Sequence, residues 1–514
     1  MGKRPFVAIF VPASAALFAI ALFSLRWRVT GDAPIMLYMA YLVDHLHAVP
    51  YRDFFDMNLP GSYWLYVLLG RVSGYGDVGL RAADLAYLGA LSWMTWACMR
   101  RIGWQSAWSS VVLFGLVYLD GGPLLSLQRE YLLLAPISGA VLLSLSDRGD
   151  ARARGLGVGL LFGLAATIKL QSALVGLPVL VVFQGIVDRQ LAGGRLSASQ
   201  WLGKTVLPSA LGFSLPPLVM LGYLWHAGAL SDFLDMARNY WPLYAHLTNE
   251  GETIRGSARA IYLVREYLLF GGNLAWLVPS VLGVFVALYH SDLDEPRRRQ
   301  VGLLVALAIA YSVYPLFSGQ FFGYHWLPFE YFLVLTSSLC FVRPAAVSRI
   351  GRALPPLALA FACLLVLRPP EEIRLQVREL PTRPPKSGRV DEIASFLRGH
   401  LAPGDQVQPL DWTGGAVHAM LIARAEIATP FVYDFYFYHH VSNPFIQKLR
   451  GRFMAAMTAA PPRFVIQIET RKPWPSGEDT TREFPELQQL LDSHYSVASR
   501  GDGYTIYERT AHAS

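Results

Sequence analysis

The chain has 514 residues, 53% of them hydrophobic and only 16% charged, where a soluble domain carries roughly 25% charged residues. This excludes an ordinary soluble protein and marks a polytopic membrane chain with a minority water-soluble part. The 44 basic residues against 37 acidic ones read as loop charge that sets topology rather than as a nucleic-acid footprint. Cys98, Cys340 and Cys363 all fall in apolar runs, so neither a disulfide framework nor a zinc spacing is available.

A bilayer core of roughly 30 Å needs about 20 apolar residues per helix. On that basis about eleven spans are expected, near 6–25, 81–98, 106–119, 130–146, 155–168, 170–187, 205–226, 265–289, 301–317, 326–342 and 353–367. The first follows Lys3 and Arg4 and reads as an uncleaved helix, because no clear small-residue cleavage site follows it. Basic residues then alternate between loops. Arg100 and Arg101, Arg148 to Arg154, Arg189 to Lys204, Arg297 to Arg299 and Arg343 to Arg352 share the side of the N-terminus, which the charge rule makes cytoplasmic. An odd number of spans leaves the C-terminus outside. The transmembrane part is expected over 1–367, with a large first outer loop at 26–80. Within that loop the helix-sized apolar pieces, 60–74 among them, are expected on the membrane surface, since a span at 60–74 would reverse every later loop.

From Arg368 the composition shifts to a proline-rich linker, 368–389, and then to a water-soluble module, 390–514. Helical pattern at 391–400, 414–424, 444–458 and 484–494 alternates with strand signals at 463–469 and a hairpin at 495–509. These predict a small α/β domain on the outer face. GxGxxG, GxxxxGK[ST] and HExxH are all absent, so nothing supports a phosphate loop or zincin chemistry.

The polar residues of the first loop are the most informative. Asp32 follows Thr30-Gly31 and precedes Ala33-Pro34. It reads either as a helix N-cap, a position that short acids favour, or as a general base at the membrane–water boundary that takes a proton from an acceptor hydroxyl or amine. Asp53 and Asp56, three apart, would share one face if that stretch were helical and could together hold a divalent ion, although solvated loop carboxylates are the commoner case.

The segments PYRDFFDMNLPGSYW, GLRAADL, LQREYLLLAP, GLLFGLAATIKLQSALVGLPVL and GQFFGYHWLPF occur in that order. The chain thereby resembles the GT-C-type polyprenol-phosphate-sugar glycosyltransferases, a group that includes the protein O-mannosyltransferases and the lipid A aminoarabinose transferase. The resemblance covers most of the chain. It implies a GT-C-like membrane fold with an extracytoplasmic α/β domain in a bacterial inner membrane. It also implies transfer of a sugar from a polyprenyl-phosphate carrier to an envelope glycan, lipid or protein, with no nucleic-acid partner.

Position by position, the resemblance makes Asp32 the catalytic base and puts Tyr51 to Pro60 near the lipid phosphate and a metal, with Asp53 and Asp56 as its ligands. Many members of the group carry a Lys before the Pro of that segment, whereas this chain reads Asn58-Leu59-Pro60-Gly61. Glu130, Lys169, Tyr324 and His325 match polar positions at the outer ends of later spans. Arg81, Arg129 and Lys169 are the cations placed to hold a phosphate. A lipid phosphate leaves as an anion, so the site needs one base and several cations rather than the paired acid and base of a glycoside hydrolase. Each has a plainer reading. Isolated Arg or Lys at span ends usually snorkel, Arg129 and Glu130 suit a simple ion pair, and Tyr324-His325-Trp326 suits an interface anchor. Lys169, inside a nearly continuous apolar run, is costly enough there to favour function. Two competing classes remain, a transporter or flippase of envelope glycolipids and a non-catalytic scaffold for polysaccharide assembly.

Overall fold

A computed structural model of the protein describes residues 3–146, 150–191, 193–194, 197–343, 349–367, 388–470 and 472–510. The expected linker, except for its last two residues, lies outside the described residues. The chain divides into two compact units, one of Met1–Arg26, Ala82–Met220 and Leu263–Glu379, the other of Trp27–Arg81, Leu221–Tyr262 and Leu380–Ser514.

The first unit is helical. Among the described residues five helices are long and apolar enough to cross a membrane: Lys3–Ser24, Ala151–Ile168, Leu170–Gln190, Ala198–His226 and Glu295–Ser318. A sixth candidate, expected as one span near 265–289, is a bent pair. Gly256–Gly272 meets Leu274–Tyr289 at 67°, and the break falls at Gly271 and Gly272, both with positive φ, a conformation glycine adopts without steric cost. The other expected spans fall on helices that are shorter or interrupted, such as Arg129–Leu132 with Leu134–Ser144 and Leu327–Ser337 running into Ser338–Phe341.

Helix starts in this unit carry the caps their sequences offer. Asp150 accepts from the Arg152 N–H, and Asp294, ahead of Pro296, accepts from the Arg297 N–H, each satisfying a donor that the first turn leaves free. Helix contact rests on small residues. A methyl group at Gly159 would lie 2.0 Å from the Ser209 carbonyl, and one at Gly212 would lie 2.1 Å from that of Leu156. Helices Ala151–Ile168 and Leu207–His226 therefore touch backbone to backbone, as small residues allow in a bilayer.

The second unit is built around a five-stranded mixed sheet. Its order is Glu426–Ile427, Gln406–Leu410, Phe464–Ile468, Tyr504–Arg509, Tyr495–Gly501. The first two pairings are parallel, with Val407 opposite Phe464, and the last two are antiparallel, with Ile466 opposite Ile506. Helices Gly388–His400, Ala416–Ala423, Pro444–Ala459 and Pro485–His494 lie close to the predicted ones.

Much of the first loop also belongs to this unit. Ala33 to Val43 of helix Asp32–His45 are all buried, which leaves that helix no face for a lipid surface and corrects the expectation that it lies on one. Instead it packs against Ala416–Ala423, and the Tyr38 hydroxyl donates to the Ala425 carbonyl at 2.8 Å. Helix Pro60–Ser73 is different. At 14 residues it is about 21 Å long, too short to cross a bilayer core, and Trp64, Leu68 and Val72 form an exposed stripe along it.

Candidate functional site

In the first unit the helices bring together residues far apart in the chain. Glu130, fully buried, opens the helix Arg129–Leu132. Lys169 sits at the joint between Ala151–Ile168 and Leu170–Leu191, with extended backbone at φ −148°. Its Nζ lies 3.3 Å from Glu130 Oε1, and His325 Nε2 lies 3.6 Å from the same oxygen. The Tyr314 hydroxyl donates to it at 3.1 Å.

Glu130 Oε2 has no hydrogen-bond partner among the described residues. On its other side the His325 ring meets Ser318, Oγ to Nδ1 at 2.8 Å. Arg129 is buried beside this cluster. Lys169 and Arg129 therefore stand with Glu130 in a low-dielectric setting, where charges interact strongly. Tyr324 stands at the edge, stacked on Phe322 with centroids 5.3 Å apart. Sequence reasoning named Glu130, Lys169 and His325 but missed Tyr314 and Ser318. A tyrosine and a serine within the apolar run of Glu295–Ser318 carry no signal by spacing.

Asp32 and the remaining first-loop residues lie in the second unit. Asp32 is not the N-cap of its helix. That place is taken by Gly31 at φ 67°, ψ −131°, and Asp32 is the first helical residue. Gly31 occupies the cap because the chain turns there through a conformation costly for any residue with a Cβ. The Asp32 carboxylate, half-buried, stands in the first turn, where the helix dipole favours negative charge.

Asp53 and Asp56 do not share a helix face. Residues 50–59 are irregular, with Tyr51 at φ 71°, a value no helix allows. Asp53 is paired with Arg52 at 2.8 Å and accepts from the Val49 N–H; Arg52 holds its carboxyl below the usual range. Asp56 is fully buried. One of its oxygens accepts from Tyr63 at 2.6 Å and Asn58 at 2.7 Å, the other from Tyr433 at 2.7 Å and Tyr436 at 3.0 Å. Burial first, then this carboxylate, push the Tyr63 and Tyr433 phenols well up.

No group of three or more His, Cys, Asp or Glu placed to hold a metal occurs among the described residues. Both oxygens of Asp56 are taken by neutral donors, and Asp53 is taken by Arg52. Tyr51 is buried and donates to the Asn58 carbonyl. Arg81 is buried with its guanidinium 4.7 Å from the Trp27 ring. Arg28, which sequence reasoning passed over, is also buried. It pairs with Asp77 at 3.0 Å and Asp391 at 2.6 Å, binding the start of the loop to the C-terminal module.

The arrangement has counterparts among solved structures. ArnT from Cupriavidus metallidurans bound to undecaprenyl phosphate matches with a TM-score of 0.57 and 13% identity, over 99% of this chain and 99% of that one. Its apo state matches with a TM-score of 0.57 and 14% identity, over 98% of each chain. The chain has the GT-C fold. It is a polytopic helical membrane protein carrying a C-terminal sheet domain, and the GT-C likeness runs through both units rather than through the helices alone. No protein-family model matches the chain, and no curated protein matches it.

Proposed function

We propose that this GT-C protein transfers a sugar from a polyprenyl-phosphate carrier to an extracytoplasmic lipid, glycan or protein, in the inner membrane of a bacterium, with its N-terminus cytoplasmic. The observation that carries the reading is the end-to-end likeness to ArnT in a structure that holds undecaprenyl phosphate. The cluster of Glu130, Lys169, His325 and Arg129 supports it, because Lys169 and Arg129 are cations of the kind that hold a lipid phosphate.

In the reaction the acceptor oxygen attacks the anomeric carbon, and the bond from that carbon to the phosphate oxygen breaks. Its electron pair leaves with the polyprenyl phosphate, while the Asp32 carboxylate takes the acceptor proton. The departing phosphate needs no proton, so one base and a cationic holder suffice. Tyr324 and His325 are assigned to the donor head group, and Arg81 and Tyr51 to substrate binding.

The test is turnover of an undecaprenyl-phosphate-linked sugar by the purified chain in liposomes, followed as labelled sugar leaving the carrier. Asp32→Asn, shown folded by its melting curve, is expected to lose on the order of 10²-fold or more in rate while still binding undecaprenyl phosphate. Turnover at the unaltered rate would overturn the assignment of the base. Movement of the carrier-linked sugar across the liposome membrane with no glycosidic product would favour a flippase instead.

A further inference from the structure

Beside Asp32 the second unit holds a cavity of about 160 Å³. One wall is Arg28 to Gly31 with Pro34 and Ile35, the residues on either side of Asp32, a second is Arg389 and Val390, and the third runs from Trp412 to His418. On the measure by which one water needs ~10–15 Å³, this is room for roughly ten waters, enough for one sugar ring.

The polar groups of the walls are unequally used. Arg389 is fully engaged, with Nε on the Asp502 carbonyl, Nη1 on the Gly414 and Thr470 carbonyls, and Nη2 on the Thr470 hydroxyl. The N–H groups of Trp412, Gly414 and Ala416, which would otherwise attract an anion at a helix start, are taken by the Asp411 carboxylate at 2.7, 2.8 and 2.9 Å. Arg28 differs. It is 3% exposed and spends Nε and Nη2 on Asp77 and Asp391, but among the described residues its Nη1 has no hydrogen-bond partner, and neither has Thr30 Oγ1. A buried polar group left unpaired costs about 1–3 kcal/mol, so a ligand that supplies the missing partners is favoured.

Two further features define that ligand. Arg28 is balanced by Asp77 and Asp391, and Arg389 is taken up by carbonyls and the Thr470 hydroxyl, which gives an anion little advantage here. Trp412 is half-buried, its indole backed by Phe435 at 4.3 Å between centroids. A supported indole face with a free guanidinium N–H and a free hydroxyl suits a ring that is apolar on one face and hydroxylated at its rim.

We infer that this cavity binds a neutral monosaccharide unit of the acceptor, with Trp412 stacking on the ring and Arg28 Nη1 and Thr30 Oγ1 meeting its hydroxyls. The assignment to the acceptor rests on the proposed transfer reaction, in which the sugar hydroxyl would stand beside the base.

The test is saturation-transfer NMR on the full chain in detergent micelles, with a panel of methyl hexosides and pentosides as probes and inorganic phosphate as competitor. At least one glycoside is expected to receive saturation, to keep it in excess phosphate, and to lose it in Trp412→Ala. Trp412→Phe, which keeps a stacking face, should retain a reduced signal and guards against misfolding. Thr30→Val should weaken binding several-fold. Silence from every glycoside, or displacement by phosphate, would overturn the site. Donor turnover is measured on the same preparation. Turnover without glycoside binding refutes the cavity and leaves the enzyme standing, whereas glycoside binding without turnover keeps the cavity as a sugar site and refutes its place in the transfer.

Discussion

Two fully buried carboxylates, Glu130 in the first unit and Asp56 in the second, are handled in opposite ways. Glu130, among helices, faces Lys169 and His325, takes one phenol, and keeps a second oxygen with no hydrogen-bond partner. Asp56, in the unit with the sheet, has no ion pair among the described residues. Both its oxygens are filled by neutral donors, three phenols and the Asn58 amide. The difference teaches how to separate a binding group from a structural one. A carboxylate with spare capacity and cationic company can exchange partners with a ligand, while one saturated by fixed hydroxyls holds the chain together and has nothing left to offer.

The comparison breaks most easily at Asp56. Asp56→Ala strands three buried phenols and an amide, each worth about 1–3 kcal/mol when left unpaired. The second unit should lose at least about 4 kcal/mol in chemical unfolding of the purified chain. An unfolding midpoint equal to that of the parent protein would remove Asp56 from any structural role.

A somewhat smaller loss, about 3 kcal/mol, is expected for Lys169→Met, because the buried Glu130 charge is left without its ion partner. Adding Glu130→Gln should restore most of that stability but not donor turnover. If the double variant turns over normally, the first-unit cluster is structural too, and the contrast between the units disappears.

The smallest effect sharpens the comparison through pH. His439 is fully buried, with Nε2 2.9 Å from the Tyr240 hydroxyl and Nδ1 2.9 Å from His440 Nδ1. Burial, then the neighbouring His440, push it down from 6.5 to about 3. The folded state therefore resists a proton that the unfolded chain accepts. Stability is whole above pH 6.5 and is lost progressively as pH falls from there toward 3. At pH 5 the loss is about 2 kcal/mol. His440, at about 4 through burial first and Arg255 next, acts in the same sense. Unfolding followed at pH 7 and pH 5 should show the drop, and His439→Gln should flatten it.

Where the sequence was a good guide, cost and periodicity were both on display. Lys169 in a run of apolar residues advertises its expense, and Glu130 and His325 interrupt hydrophobic segments in the same way. The helices and the hairpin of the C-terminal module follow their periodicity closely. What stayed hidden depends on contacts between distant segments. The fate of Asp56 is decided by Tyr433 and Tyr436, some 380 residues away, and no spacing within residues 50–60 could indicate that. The helical picture of Asp53 and Asp56 failed on the left-handed backbone at Tyr51. Helix Asp32–His45 was misjudged because an apolar segment reads the same whether lipid or a protein domain covers it.

The short helix Pro60–Ser73 has a further consequence. With Trp64, Leu68 and Val72 turned outward and a length below the bilayer core, it can enter only one leaflet when it meets lipid. A wedge in one leaflet responds to how tightly head groups are packed and to the curvature of the sheet. Lipid shape, and not only lipid identity, is therefore a variable to change when the protein is reconstituted.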